Sequence, residues 1–379
     1  MIGDAPVELR GRLVLDDEVV AGRVWLDGDA IAAVELDRDP LGGEGLPLIA
    51  PGFVDVHVHG WAGHDAMGSA DDLGGMARAL LAHGVTSFLP TAVTSPLADL
   101  RGFADRVRAW LPRAPHDGAE PLGFNLEGPF LAPTRKGAHN PAWLASPGDV
   151  AWAEVEPLLD GLRLITIAPE LAGSLELIQR LTALGIRVSI GHSAASAATA
   201  HAAYDAGASS TTHLFNAMSG VDHHAPGVAV AALTRDDAWV ELIADGLHVD
   251  PALWPIVRRM KPIDRLILVS DALAQAGLGD GRSTMGGLDL DIRAGRATLA
   301  DGSGTLAGSV IALDSAVRNL VRNGASLPAA VAAAGRNPLD LLGIADRGRI
   351  VPGQRADLVD LDDDLVVRRV MRGGVWRQG

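Results

Sequence analysis

The chain has no cysteine among its 379 residues. Disulfides, thiolate metal sites and cysteine nucleophiles are therefore excluded, and a cytoplasmic location is the natural expectation. Positive charge is scarce: 32 Lys and Arg stand against 47 Asp and Glu, for a formal net charge of -15. Such a balance argues against nucleic acid or an anionic membrane as partner, although local charge still decides whether a phosphorylated small molecule can bind. No uninterrupted apolar stretch reaches the roughly 20 residues of a membrane-spanning helix. The opening MIGDAPVELRGRLVLDDEVV has no basic segment followed by an apolar run, so no signal peptide is expected. Low-complexity tracts and short tandem repeats are also missing.

What is present suits one large domain with an accessory module. Hydrophobic residues make up 48% of the chain, enough for a sizeable core. The first fifty residues alternate in short runs with Asp-Gly turns (VELRGRLVLDDEVV, GRVWLDGDAIAAVEL), and the last thirty read alike (GRIVPGQRADLVDLDDDLVVRRVMRGGVWRQG). Alternation of this kind predicts antiparallel sheet. The expected organisation is a small β-sandwich domain built from both termini, residues 1–50 plus 346–379, around a middle domain of residues 51–345.

In the middle, short β-type runs alternate with Ala/Leu-rich helical stretches. The runs are FVDVHVH (53–59), VTSFLPT (85–91), LGFNLEG (122–128), LITIAPE (164–170), VSIGHS (188–193), STTHLF (210–215), VELIADG (240–246) and LILVSDA (266–272). Eight strand–helix repeats predict an α/β fold, a (β/α)8 TIM-like barrel. Residues 273–310, rich in Gly and Asp, predict a long loop or an inserted hairpin.

Polar residues collect at the C-terminal ends of these runs, which form the active face of such barrels. His57 and His59 end the first run, Glu127 the third, His192 the fifth, His213 the sixth and Asp271 the eighth. Residues two apart on a strand point the same way, so His57 and His59 can share one ion. A carboxylate has two oxygens and can bridge. The expected arrangement puts His57 and His59 at one metal position, His192 and His213 at another, and Glu127 between them. Imidazole and carboxylate suit Zn²⁺, Fe²⁺, Mn²⁺ or Co²⁺. Each residue has a plainer reading: Glu127 as a structural carboxylate near a turn, His192 and Asp271 as helix caps. The joint pattern is more specific, because several unrelated strands would have to place such a residue at the same end by accident.

PGFVDVHVHG, NLEGPF, KGAH, TIAPE, GHS, THLFNAM, IADGLHVD, VSDA and GTLAGS occur in the order seen in the N-acetylglucosamine-6-phosphate deacetylases of the amidohydrolase superfamily, and the chain resembles that family over nearly its whole length. PGFVDVHVHG marks only the superfamily; LEGPF, THLFNAM and IADGLHVD together are far more specific. The resemblance implies that Glu127, His192 and His213 are metal ligands and that Asp271 is the catalytic acid/base and lies at the metal. It implies one or two divalent ions, two being compatible with the retained His57 and His59, with Zn²⁺ the first choice. It also implies substrate contacts at Ala138 and His139, at Asn216 and Ala217 beside the phosphate, at His248 across a homodimer interface, and at Leu306, Ala307 and Gly308 closing over the sugar.

One departure stands out. Members of the family usually carry an arginine two residues before the proline of a PG pair after FNAM, where this chain reads VDHHAPG and places His224. Arginine grips phosphate with a charged bidentate fork; histidine is charged only part of the time near neutral pH. His224 is therefore either part of a solvated loop or the mark of a weaker or relocated phosphate site. The implied reaction is metal-dependent deacetylation of N-acetyl-D-glucosamine 6-phosphate by activated water, with Asp271 moving the proton. Its rivals are another amidohydrolase chemistry, a deacetylase for a non-phosphorylated or differently configured amino sugar, and a non-catalytic metal-binding scaffold.

Overall fold

The computed structural model describes residues 7–37 and 45–378; residues 1–6, 38–44 and 379, all in the expected terminal domain, lie outside the described residues. The chain opens with β1 (Val7–Val14), β2 (Val19–Asp27), β3 (Ala30–Asp37) and β4 (Leu48–Pro51). Along β1 and β2 buried residues alternate with exposed ones, as half-buried antiparallel strands require.

The barrel strands follow: β5 (Phe53–Val58), β6 (Val85–Val93), β7 (Phe124–Glu127), β8 (Leu162–Ile167), β9 (Arg187–Ile190), β10 (Ser210–Thr211), β11 (Trp239–Leu242) and β12 (Leu266–Leu268). Each lies beside the next in parallel. Every residue of β5 and β6 is buried, as expected of parallel strands covered by helices. The path closes on itself through the first and last strands: the Asp271 N–H donates to the His57 carbonyl at 2.8 Å, and the His59 N–H to the Ala272 carbonyl at 2.8 Å.

Helices alternate with the strands, among them α1 (Ala70–Leu81), α2 (Leu97–Trp110), α3 (Ser174–Ala183), α4 (Ala197–Asp205), α5 (Val228–Thr234), α6 (Trp254–Met260) and α7 (Leu313–Arg322). Two of them begin where the sequence caps them: the Ser69 hydroxyl accepts from the Asp72 N–H, with the Asp72 carboxylate reaching back to Ser69, and the Ser196 hydroxyl accepts from the Thr199 N–H. The segment after β12 forms a three-stranded antiparallel sheet of β13 (Gly281–Met285), β14 (Leu288–Arg293) and β15 (Arg296–Leu299). Its return limb rejoins the barrel beside Asp271, where the Ser309 N–H donates to the Asp271 carbonyl at 2.7 Å.

The chain ends in β16 (Leu358–Leu361), β17 (Val367–Arg372) and β18 (Val375–Gln378). They join the N-terminal strands in one sheet of order β18-β17-β16-β4-β1-β2-β3. This small β-sandwich domain has its own apolar core, including Leu13, Val24, Leu26, Ile31, Ile49, Leu358 and Met371. Arginines from the C-terminal part fasten it to the barrel: Arg347, Arg355 and Arg372 converge on Glu120. Among the described residues no helix is long and apolar enough to cross a membrane.

The strands are shorter than the apolar runs suggested. β9, β10 and β12 stop at Ile190, Thr211 and Leu268, so His192, His213 and Asp271 sit on the loops just beyond them, not on the strands themselves. Each of the three has a left-handed backbone, with φ of 47°, 28° and 50°. That conformation costs non-glycine residues about 1–3 kcal/mol each. It turns the chain sharply as it leaves the strand, which runs of apolar residues cannot signal.

Candidate active site

β5, with the residue just beyond its end, and β7 deliver their polar residues by simple alternation. Asp55, His57 and His59 recur every second residue, as do Asn125 and Glu127, and all five side chains are buried. The loops after β9, β10 and β12 add His192, His213 and Asp271.

Glu127 lies at the centre. Its Oε1 is 3.0 Å from His192 Nε2, 2.9 Å from His213 Nε2 and 3.6 Å from His57 Nε2. Its Oε2 is 3.2 Å from both His59 Nε2 and His139 Nε2. Asp271 Oδ1 lies 3.1 Å from His59 Nε2 and 3.6 Å from His57 Nε2. Two sets of donors are close enough to hold an ion: His57, His59 and Asp271, and Glu127, His139 and His192, each with its donor atoms within 4.8 Å of one another. His213 completes the second set, its Nε2 3.1 Å from that of His192. His139, expected at the sugar, thus stands among the metal-capable donors.

The rings are oriented from behind. His57 Nδ1 donates to Glu241 Oε2 at 3.1 Å, His59 Nδ1 to the Thr91 carbonyl at 3.1 Å, and His192 Nδ1 to the Arg135 carbonyl at 2.8 Å. An acceptor behind each ring puts the proton on Nδ1 and leaves the Nε2 lone pair facing the cluster, the form a metal ligand needs. His57 Nε2 is buried with no hydrogen-bond partner. This donor set fits a divalent cation.

The electrostatics describe the same cluster with protons, not an ion, between the rings and the carboxylates. Burial opposes ionisation of Glu127, but the charges of His139 and His57 hold its carboxyl well below the usual range. Asp271 is likewise held low, burial being outweighed by His57 and His59. Burial works against protonation of His59, but hydrogen bonds to Asp271 and Glu127 carry it to about 9. His192 is instead brought down to about 4 by burial and the neighbouring His139. Two anionic carboxylates beneath these imidazoles attract positive charge, so a cation and the Nε2 protons compete for the same places.

Above the cluster opens a cavity of about 440 Å³. Its wall contains the expected residues Ala138, His139, Asn216, Ala217, His248, Leu306 and Gly308. Ala307 is fully buried beneath it, packed with Leu290 and Leu299 of the inserted sheet, and so is not a wall residue. His248 lines the cavity, held by Asp245 Oδ2 at 2.7 Å. His224 is exposed and does not line the cavity; its N–H donates to Asp222 Oδ1 and its ring lies 3.9 Å from that of His223.

Sequence reasoning missed Glu241 and the cavity residues Arg135 and Arg296. A carboxylate in the middle of the apolar strand WVEL was the available signal for Glu241, since a buried charge needs a specific partner. The caps proposed as plainer readings are not made: Ser196, not His192, caps α4, and the helix after Asp271 begins only at Leu313.

The amidohydrolase family matches residues 48–377. The chain is 42% identical over 386 residues to the N-acetylglucosamine-6-phosphate deacetylase of Bos taurus, covering 97% of this chain and 91% of the relative. It is 38% identical over 385 residues to the N-acetylgalactosamine-6-phosphate deacetylase of Escherichia coli O157:H7, covering 98% of each. Among solved structures it is similar to the N-acetylglucosamine-6-phosphate deacetylase of Thermotoga maritima (TM-score 0.91, 32% identity, 98% of this chain and 99% of the other). It is also similar to a variant of the Mycobacterium smegmatis enzyme in complex with N-acetyl-D-glucosamine-6-phosphate (TM-score 0.90, 35% identity, 99% and 100%).

Proposed function

The chain belongs to the amidohydrolase family, in its N-acetylglucosamine-6-phosphate deacetylase branch, and from that premise we propose that it hydrolyses N-acetyl-D-glucosamine 6-phosphate to D-glucosamine 6-phosphate and acetate. The observation that carries this reading is the convergence of His57, His59, Glu127, His192, His213 and Asp271 at the floor of one sugar-sized cavity. The family is metal-dependent. His57, His59 and Asp271 would hold one ion and Glu127, His192 and His213 another, with Zn²⁺ the first choice and Fe²⁺, Mn²⁺ or Co²⁺ compatible. A divalent cation there supplies Lewis-acid polarisation of the amide carbonyl and activation of water.

The protein groups do the rest. The Asp271 carboxylate, ionised before reaction, takes the proton of the attacking water and returns it to the nitrogen that leaves as the amine. His139 holds the acyl end against Glu127, while Asn216, Ala217 and His248 orient the sugar. Leu306 and Gly308 cover it and exclude water. The two parts of the chain divide at residues 50/51 and 345/346. A homodimer is supported by the large hydrophobics Leu247, Leu253, Ile256, Met260 and Ile263, exposed along one stretch next to His248. The place of action is the cytoplasm.

A second reading has a specific observation behind it: one of the relatives acts on the galacto-configured sugar phosphate. Steady-state kinetics on N-acetylglucosamine 6-phosphate, its 4-epimer and unphosphorylated N-acetylglucosamine separate these readings. The highest kcat/KM on the first is expected; a preference for the epimer replaces the proposal with the second reading, and turnover of none of the three overturns both.

A further inference from the structure

β8 lies between β7, which carries Glu127, and β9, which leads to His192, yet among the described residues it supplies none of the metal-capable donors. The chain leaving β8 ends the motif TIAPE with Glu170. That residue is exposed, but its carboxylate is engaged. Oε2 accepts from the Ser193 hydroxyl at 2.7 Å, and Oε1 accepts from the Ala194 N–H. Both donors belong to the turn directly after His192. Ser193 is buried, and its hydroxyl also accepts from the Ala195 N–H at 3.0 Å, which fixes the rotamer that meets Glu170. The segment carrying Glu170 is itself anchored. The Ala168 N–H donates to the Phe130 carbonyl at 2.8 Å, and the Ser174 hydroxyl donates to the Ala168 carbonyl at 2.9 Å.

The turn at His192 needs such support. Its φ of 47° persists in a non-glycine residue only where the surroundings impose it. The same turn also carries the neighbouring loop. The Ser193 N–H donates to the Ala217 carbonyl at 3.1 Å, and the Ser219 N–H donates to the Ser193 carbonyl at 2.9 Å. Ala217 is left-handed too, with φ 48°, and lines the cavity beside Asn216. Through Ser193, one carboxylate therefore bears on the turn that aims His192 at Glu127 and on the loop that faces the cavity. A carboxylate has two acceptor oxygens and can take both donors at once, whereas an amide of the same length offers one acceptor and one donor group.

We propose that Glu170 is a positioning residue for the metal centre: it holds the turn that presents His192 and, through Ser193, sets the Asn216–Ala217 loop against the sugar. The strand that gives the cluster no ligand thus gives it a brace. The proposal rests on the reading of His192 as a metal ligand and deepens it.

The test strips the full-length enzyme of metal, titrates it with Zn²⁺ against a chromophoric chelator, and reloads the same preparations for kinetics on N-acetylglucosamine 6-phosphate. Glu170→Ala is expected to weaken Zn²⁺ binding about 10- to 100-fold. At saturating Zn²⁺ it raises KM more than it lowers kcat, because Asp271 lies outside the braced loops. Glu170→Gln keeps an acceptor for the Ala194 N–H and recovers part of both losses. The double variant Glu170→Ala/Ser193→Ala binds Zn²⁺ no more weakly than the worse of its single variants, since both remove one shared contact. Glu176→Ala, which takes the same charge from the exposed face of α3, keeps wild-type Zn²⁺ affinity and serves as the control. Wild-type Zn²⁺ affinity in Glu170→Ala overturns the proposal, as do fully additive losses in the double variant. A lower melting temperature of the metal-free Glu170→Gln protein with Zn²⁺ affinity kept overturns it as well, since the residue would then serve only the fold. A wild-type chain that hydrolyses no acetylated amino sugar ends the deacetylase reading, and the Zn²⁺ titration still decides the brace.

Discussion

Three imidazoles of the cluster are committed to one tautomer by the acceptors behind them, and the consequences are sharpest at His57. Its Nδ1 leans on Glu241, which is fully buried and also accepts from the His213 N–H at 3.2 Å. One carboxylate therefore braces residues of both donor sets. Glu241→Gln is expected to weaken metal retention about 10- to 100-fold, read as metal content by inductively coupled plasma analysis after dialysis against a mild chelator; full retention would remove Glu241 from this role. Asp271→Asn is expected to lower kcat about 10²- to 10⁴-fold with the metal of the Glu127, His192 and His213 set retained. Wild-type turnover in that variant would end its assignment as the proton carrier. At this scale the sequence was legible where chemistry and spacing coincide. His57-x-His59 and Glu127 followed from alternation on a strand. Glu241 did not, because a glutamate in a strand resembles any other until its neighbours in space are known. Arg135 and Arg296 did not either, because an arginine on a loop is ordinary until the loop is seen to face a cavity.

Among the elements, the inserted sheet is the one whose position matters most to chemistry. Its return limb pairs with the segment after Asp271 on both sides, with the Ser309 N–H donating to the Asp271 carbonyl and the Leu273 N–H to the Ser309 carbonyl. Gly308 stands at the junction with φ +54°, and a Cβ there would come within 2.9 Å of the Asp271 carbonyl oxygen. Gly308→Ala is expected to cost about 1–3 kcal/mol of stability and to lower kcat by displacing Asp271. Denaturant unfolding and kinetics on the same preparation check this; an unchanged kcat would show that the limb does not position the acid. The eight barrel strands were readable as apolar runs, since parallel strands buried on both faces are apolar throughout. Their ends were not. β10 and β12 keep only two and three residues as strand. The chain instead turns through left-handed residues, whose stability comes from surrounding contacts and not from any local propensity.

For the molecule as a whole, Glu120 is the fastening between the two domains. It takes Arg347, Arg355 and Arg372 from the C-terminal part, and Arg372 also donates to the carbonyls of Pro115 and Gly118 on the barrel side. Burial alone would raise its pKa, but Arg355 and Arg347 hold it below its ordinary value of 4.5. A depressed carboxylate contributes stability above its unfolded pKa and loses that contribution as pH falls through the folded value. Glu120→Gln is therefore expected to be less stable than wild type by about 1–3 kcal/mol at pH 7, with the gap closing as pH is lowered below about 4.5. A gap that is constant with pH in denaturant titrations would show that the charge is not the source. Two β-rich ends were visible in the sequence as alternation; that they meet in one sheet, and that Glu120 ties it down, depends on partners more than 200 residues away.

The seam where β5 meets the stretch beyond β12 has a consequence in time. His57 and His59 leave the ribosome early, and the strand that brings Asp271 against them comes more than two hundred residues later. Until that last stave arrives the barrel is open and the floor of the cavity does not exist. An unfinished or truncated chain can thus carry most of the ligands and still lack a reaction centre, so that competence to hydrolyse an amide is acquired only when synthesis of the barrel is complete.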